Sequence, residues 1–528
     1  MIILGIGGIL KDAACAILKD GALASAVEQS KVAPHHSHGA HSGLPLEAAK
    51  VALRLAGASE SDVHSVALAR PFHERHGTRH LHLELRDHFP NARIVSVEHH
   101  QAHAASAYYA SPFDHATVLT LDNSGDFRCG SRWRAEGAAM HLEKEISFPD
   151  SLGDLYSRVT ELLGFKPAAD EHKVQWLSTS GEPVFADVFR QILVQPGVGL
   201  RVDQGWFDTD RTGSGGFGAR FYAALGLEEG AEIPAEMKPR IAASVQLAVE
   251  KLVLEMAGEG ENLCLAGGLG LNALLVAALE NCGQWKNVFV QPAAGNSGTA
   301  LGAAYYAWHN ALGETRRAPL STLCLGPSST SEQIKKVLEN CKLRFQYLLT
   351  TGELLSAAVE QLANDKILAW MQGRMEFGPR ALGNRSILAS PLNAYSTENL
   401  NVFIKHREPF RKFAASVPAE LAAEYFDVGP NARFLTTVGR VKPAHRATFE
   451  SAVLGDGLVR VHTVDAEENP LFHKLLHAWG AKTGLPVLYN TSFNLFGDPM
   501  VCTPRDAVRS FYSSGIDSML VGHFLLEK

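Results

Sequence analysis

Short apolar runs separated by glycine-bearing turns open the chain. Residues 2–28 read as a strand over Ile2–Ile6, a Gly-rich turn, a strand over Ala13–Leu18, an Asp20-Gly21 turn and a strand over Leu23–Val27. Apolar runs of this length bounded by Asp/Gly turns are the local signal of strands joined as hairpins. Residues 117–147 repeat the rhythm, with strands predicted over Thr117–Leu121, Ser131–Ala135 and Met140–Ile146 around the turn Asp122-Asn-Ser-Gly-Asp126. Each copy sets aspartate in or beside its first glycine-containing turn: Asp12 in one, Asp122 and Asp126 in the other. Apolar positions at helical spacing predict helices over Leu46–Leu55, His100–Ala110, Leu152–Leu163, Ile241–Ala257 and Gly298–Ala311. Residues 262–272 read as a buried strand, a Gly-rich turn and a helix start. A Pro-, Ser-, Thr- and Gly-rich stretch near 312–332 predicts a domain boundary. Beyond it come helices over Ser331–Asn340 and Glu353–Asp365, a strand over Ile367–Met371, and a mixture of both types.

The repeated meander fits two arrangements: a duplicated ATPase fold of the actin/hexokinase type, or two unrelated hairpins. The 528 residues predict two to four domains and exclude a single small binding module. Hydrophobic residues make up 46% and charged ones 20%, too apolar a mixture for a disordered chain. The net charge of −7 argues against binding nucleic acid through a broad basic surface. Seven cysteines without CxxC or zinc spacing read as reduced thiols of a cytoplasmic protein. The N-terminus lacks a basic leader pattern and reads as a first strand. No apolar stretch approaches ~18 residues, so no membrane partner is expected.

Fourteen of the 23 histidines lie between His35 and His115. Among them, His99 and His103 stand at i and i+4, one face of a helix, where two imidazoles can share a metal. Asp122, in the acidic turn after the next strand, supplies a hard third donor. Two histidines and a carboxylate suit Fe(II), Mn(II) or Zn(II); the competing reading is a histidine-rich helix start. The turn Gly267-Gly-Leu-Gly-Leu-Asn272 lets backbone approach a nucleotide and opens a helix whose N-terminus favours anions. Residues 291–304, with Asn296, form a second such turn. Across residues 374–412, Arg374, Arg380, Arg385, Lys405, Arg407, Arg411 and Lys412 face only Glu376, Glu398 and Glu408. Arginines set beside Gly, Pro and Phe in this way suit bidentate clamping of phosphate or carboxylate. Asn490-Thr-Ser492-Phe-Asn494 adds hydroxyls and amides at a strand end.

Five motifs resemble one known family, the NodU/CmcH O-carbamoyltransferases: His99-His-Gln-Ala-His-Ala-Ala-Ser-Ala107, Ser151-Leu-Gly-Asp-Leu-Tyr156 with Asp170-Glu-His-Lys173, Leu265-Ala-Gly-Gly268 with Asn272, Gln372 through Ser386, and Asn490 through Asn494. The resemblance runs nearly end to end and implies an α/β protein of two domains. Residues 1–325 are expected to be the duplicated ATPase-type domain, similar to the tRNA threonylcarbamoyl-transfer proteins, and residues 340–528 a YrdC-like domain. It implies that carbamoyl phosphate and ATP, with Mg(II), give carbamoyl adenylate in the second domain. The first domain then passes the carbamoyl group to a hydroxyl of a small metabolite. Transfer to a protein or tRNA, and a degenerate nucleotide-binding homologue with a regulatory role, are the alternatives. Matched motif by motif, Arg380, Arg385, Lys405, Arg411, Asn490 and Ser492 would hold the two polyanions, Arg380 and Arg385 also acting in catalysis. Gly267, Gly268 and Asn272 would hold adenosine, and His99, His103 and Asp122 the metal. The chain departs from the family at Lys11-Asp12, where His-Asp is usual in the first, catalytic turn. It departs again at Asn296, where the family has an aspartate ligand, so a divalent ion loses one negative donor there. Acceptor contacts are expected from His35, His36, His38 and His41.

Overall fold

A computed structural model describes residues 1–33, 43–70, 79–194, 199–208, 214–495 and 497–528. The expected contacts at His35, His36, His38 and His41 lie outside the described residues.

The first half contains two sheets of the same design. Strands β1 (Ile2–Gly7), β2 (Ala14–Lys19), β3 (Ala22–Glu28), β4 (Val63–Ala69) and β5 (Arg93–Val97) order as β3-β2-β1-β4-β5. The second sheet uses β6 (His115–Gly125), β7 (Arg128–Glu136) and β8 (Ala139–Ser147). After a short β9–β10 hairpin (Leu193–Val194 with Arg201–Val202), it adds β11 (Gly260–Ala266) and β12 (Trp285–Val290), in the order β8-β7-β6-β11-β12. In each sheet the first three strands form an antiparallel meander, and the fourth and fifth run parallel to the first. The predicted repeat is therefore a duplication of topology and not two unrelated hairpins. β1 is buried along its whole length, as a central strand covered on both faces must be.

The helices His99–Tyr108 and Gly298–Tyr306 pack on each other, and small residues let their backbones close up. A Cβ on Gly302 would fall 1.7 Å from the Ala102 carbonyl oxygen, and one on Gly5 would fall 2.1 Å from that of Ala300. The helix bearing His99 and His103 is thus held against the turn bearing Asn296.

Residues 312–330 hold no regular element, yet Leu320, Leu323 and Leu325 are buried in the core of the first half. The second half then builds one ten-stranded mixed sheet. Its strands are β13 (Gln346–Tyr347), β14 (Leu368–Met371), β15 (Arg385–Ala389), β16 (Ala414–Pro418), β17 (Phe426–Asp427), β18 (Val438–Val441), β19 (Leu458–Val464), β20 (Leu488–Ser492), β21 (Ser518–Val521) and β22 (Phe524–Glu527). They order as β13-β22-β21-β14-β15-β20-β16-β19-β18-β17, with apolar cores on both faces. The molecule is α/β with mixed sheets throughout. All seven cysteines are unpaired. No helix among the described residues is long and apolar enough to cross a membrane.

Candidate functional site

The helix beginning at His99 is capped by Glu98, whose carboxylate accepts the Gln101 N–H at 2.8 Å. The i, i+4 spacing then sends His99 and His103 to one side, facing the end of β6. There the two Nε2 atoms lie 3.1 Å apart, and each meets Asp122 Oδ2, at 2.9 Å from His99 and 3.1 Å from His103. All three residues are buried. Burial opposes a charge on Asp122, but hydrogen bonds from His103 and His99 outweigh it and hold the carboxyl well below its ordinary range. Burial, reinforced by His99, pushes His103 down and keeps it neutral. Their neighbour His100 points elsewhere: it bonds Thr120 Oγ1 at 2.7 Å, and burial drives its pKa down to about 3, so it is a structural residue.

The surroundings place these atoms. Asp122 Oδ1 accepts from the N–H groups of Asn123 (2.9 Å) and Gly268 (3.3 Å). A Cβ on Gly268 would meet that same oxygen at 2.9 Å, and one on Gly267, at φ +89°, would meet the Leu121 carbonyl oxygen at 2.2 Å. The glycine turn therefore lets β11 press against the strand end that carries Asp122. Gly125 is constrained from the other side, because a Cβ there would lie 2.1 Å from the His99 ring. The Ser151 motif works alike: Ser151 caps its helix by accepting the Asp154 N–H at 3.0 Å and donates to the Asn123 carbonyl at 2.6 Å.

Above Asp122 opens a cavity of about 740 Å³ lined by Lys11, Asp12, Asp122, His172, Gly268, Asn272 and Asn296, among others. Asn296 Oδ1 is buried there without a hydrogen-bond partner, and His103 Nδ1, in the helix His99–Tyr108, is likewise unpartnered. Asp12, at φ +64°, has its carboxyl raised above the ordinary range by desolvation, with Lys11 opposing and Asp122 reinforcing. Lys11 Nζ donates to the Ala168 carbonyl, tying the first turn to the segment that carries His172. Asn272 caps the helix Ala273–Asn281 and exchanges hydrogen bonds with Gln246 at 2.9 and 3.1 Å, so it holds the cavity wall.

The second half meets this cavity with positive charge. Lys405 is 2% exposed and reaches only oxygens of Ser492 and Asn494; burial, then Arg407 and Arg411, hold its pKa well below the usual lysine range. Burial and then Arg411 bring Arg380 down to about 10, and burial with Arg411 brings Arg407 down to about 9. Arg411 and Arg460 are lowered as well, first by burial, with Arg460 further lowered by Arg380, Arg407 and Arg411. Five cations thus crowd one another. Glu408, the nearby carboxylate, is shared between Lys173 (2.9 Å) and Arg411 (3.5 Å). Like charges held together before any ligand arrives favour a polyanion. The cluster abuts the cavity: Arg380 donates to the carbonyl of the cavity residue Leu271 at 3.4 Å, and Arg460 stacks over Trp176 at 5.2 Å. Burial, then Arg411 and Arg380, push the cavity residue His172 down to about 4.

Not every expected residue faces this space. Arg385 is fully buried beneath the 372–386 loop, and its fork donates to the carbonyls of Gln372 (2.6 Å), Asn384 (3.0 Å), Pro327 (3.1 Å) and Gly373 (3.3 Å). Asn490 donates to the Ala381 carbonyl at 3.1 Å and Ser416 Oγ at 3.3 Å, and Ser492 donates to Asn494 Oδ1 at 2.7 Å. These three brace the loop that carries Arg380 and the strand end that Lys405 bonds. Arg460 is the functional candidate that sequence reasoning missed; Arg407 stood among the clamping arginines and His172 within a matched motif, both without a named role. An arginine between Val459 and Val461 inside the strand Leu458–Val464 is the one available signal for Arg460.

Residues 80–305 match the family model "Carbamoyltransferase N-terminus", and residues 359–528 match "Carbamoyltransferase C-terminus". Uncharacterized protein sll1178 of Synechocystis sp. is 37% identical over 470 residues, covering 82% of this chain and 76% of that one. Nodulation protein NolO of Bradyrhizobium diazoefficiens is 33% identical over 448 residues, covering 82% and 79%. The 3'-hydroxymethylcephem-O-carbamoyltransferase of Amycolatopsis lactamdurans is 34% identical over 264 residues, covering 50% and 48%. The chain belongs to the carbamoyltransferase family and is an enzyme that transfers carbamoyl groups.

Proposed function

We propose that the protein is an ATP-dependent O-carbamoyltransferase acting on a small hydroxylated metabolite, with its two halves sharing the reaction. The observation that carries this reading is the cluster of Arg380, Lys405, Arg407, Arg411 and Arg460, which is short of counter-charge and adjoins the Asp12–Asp122 cavity through its wall residues Leu271 and His172. Carbamoyl phosphate and ATP repel each other, and fixed cations offset that repulsion while stabilising charge on the oxygens in transfer. With Mg(II) on ATP, one water opens carbamoyl phosphate to carbamate and phosphate. A carbamate oxygen then attacks the α-phosphorus and pyrophosphate leaves, giving carbamoyl adenylate. On this reading the second half is the YrdC-like domain, and the duplicated first half is the actin/hexokinase-type one.

In the cavity, the acceptor hydroxyl attacks the carbamoyl carbon. A new C–O bond forms, the C–O bond to the adenylate phosphate breaks, and AMP departs. Asp12, poised above the ordinary carboxylate range, receives the hydroxyl proton. Lys11 fixes the segment opposite and sets a cation near the developing negative charge. The turn at Gly267 and Gly268, with Gly268 on the cavity wall, holds the adenosine part of the adenylate.

The donor set at His99, His103 and Asp122 fits a divalent ion. The edges of 2.9, 3.1 and 3.1 Å between donor atoms are those of one octahedral face with bonds of ~2.1 Å. The unpartnered Asn296 Oδ1 is the further oxygen at hand. Fe(II), Mn(II) and Zn(II) all suit two imidazoles and a carboxylate, and such an ion, when bound, supplies Lewis-acid polarisation of the carbamoyl carbonyl.

Incubation with ATP, carbamoyl phosphate and Mg(II) tests the reading. Pyrophosphate release that needs carbamoyl phosphate is expected, and none from well-folded protein refutes it.

A further inference from the structure

A second set of metal-binding side chains converges on the surface of the C-terminal half. His473 and His477 stand four residues apart on the helix Pro470–Thr483, so both project from one face. Their Nε2 atoms lie 2.9 and 2.8 Å from Glu420 Oε1, and His473 Nε2 is also 3.2 Å from Oε2. Glu420 sits in the turn Ala419–Leu421 directly after β16, so the three residues join the end of a central strand to a helix. The side chains are 52%, 14% and 45% exposed for Glu420, His473 and His477.

Hydrogen bonds alone give little reason for this convergence. Both rings aim Nε2 at the same carboxylate oxygen. Exposed contacts of that kind contribute little, against the entropy of ordering three side chains. With lone pairs inward, the two Nε2–Oε1 separations of 2.9 and 2.8 Å match octahedral edges for bonds of ~2.0–2.1 Å. Two imidazole nitrogens and one carboxylate favour Zn(II), Cu(II), Ni(II) or Co(II) over Mg(II) and Ca(II), which take oxygen. The partial exposure leaves the remaining positions to water.

We propose that Glu420, His473 and His477 form a divalent transition-metal site, separate from the cavity, that cross-links β16 to the helix Pro470–Thr483. The place has a consequence for the fold. The same helix starts at Asn469, whose amide donates to the Leu382 carbonyl (3.1 Å) and to Asn384 Oδ1 (3.0 Å). An ion at its second turn therefore steadies the helix that braces the loop following Arg380. The site touches no substrate, so it is stabilising and not catalytic.

The test is zinc binding by the full-length protein after chelator stripping, followed by equilibrium dialysis and by thermal unfolding. His473→Gln/His477→Gln should bind one zinc fewer per chain than the native protein and lose most of the zinc-dependent rise in Tm. Its pyrophosphate release with Mg(II) should stay unchanged. Glu420→Gln alone should weaken the site ~10-fold or more, which keeps the test independent of the helix substitutions. With Cu(II), nitrogen hyperfine splitting should appear in the native spectrum and shrink in the double variant. Equal zinc stoichiometry, affinity and Tm response in native and variant proteins would overturn the proposal and leave the cluster as hydrogen bonds.

Discussion

Replacing Arg407 by glutamine should move stability and activity in opposite directions. In the unliganded protein, burial and the neighbouring Arg411 bring the Arg407 pKa down from the usual guanidinium range to about 9. Below both values the folded state carries the full cost of that charge. The cost persists across neutral pH and fades only as pH rises past the lowered value. At ~1.4 kcal/mol per pH unit the ceiling is ~5 kcal/mol. Water at this half-buried group and the partial compensation by Glu408 reduce it to the order of 1–2 kcal/mol. Removing the charge should therefore stabilise the apo protein by that amount, a rise in Tm of ~1–4 °C. The same substitution removes a charge-assisted hydrogen bond to a polyanion, ~1.5–3 kcal/mol, and should lower kcat/KM for pyrophosphate release ~10–150-fold. Differential scanning calorimetry beside a continuous pyrophosphate assay reads both. A lower Tm with unchanged pyrophosphate release would refute the account of the cluster as a preset anion site.

Three further outcomes are expected. Gly125→Ala drives a methyl group into the His99 ring and should cut bound divalent ion at least ~10-fold by elemental analysis, with pyrophosphate release retained. Arg385→Lys leaves loop carbonyls unpaired and should cost ~2–4 kcal/mol in urea unfolding. Carbamoyl transfer should fall as pH drops through the raised Asp12 pKa, so its acid limb lies above the ordinary carboxylate value of ~4 and flattens in Asp12→Asn, read from a pH–rate profile.

What was legible in the sequence follows from the range of the interactions. The helices Leu46–Leu55 and Ser331–Asn340 have the predicted bounds, because apolar spacing and caps act within a few residues. The paired meanders were readable for the same reason, and so was the His99–His103–Asp122 group, which needs one helix turn and the next strand. The order of the ten-stranded sheet was not readable: β16 pairs with β19 and β20 through contacts far apart in the chain. The arginines divide likewise. Sequence shows that Arg380 and Arg385 sit in one motif, but only the fold sends Arg380 to the cavity edge and Arg385 under backbone carbonyls. Arg460 joins the site from a strand that nothing local connects to it.

The central claim is that the cation cluster makes an activated carbamoyl group and the neighbouring cavity passes it on. Mass spectrometry of a single turnover with isotope-labelled carbamoyl phosphate and ATP, on native protein and on Asp122→Asn, tests this most directly. The account predicts labelled carbamoyl adenylate in both, with label reaching a hydroxylated metabolite from an extract only in the native protein. Label appearing in the metabolite without ATP, or no adenylate in either protein, would contradict it.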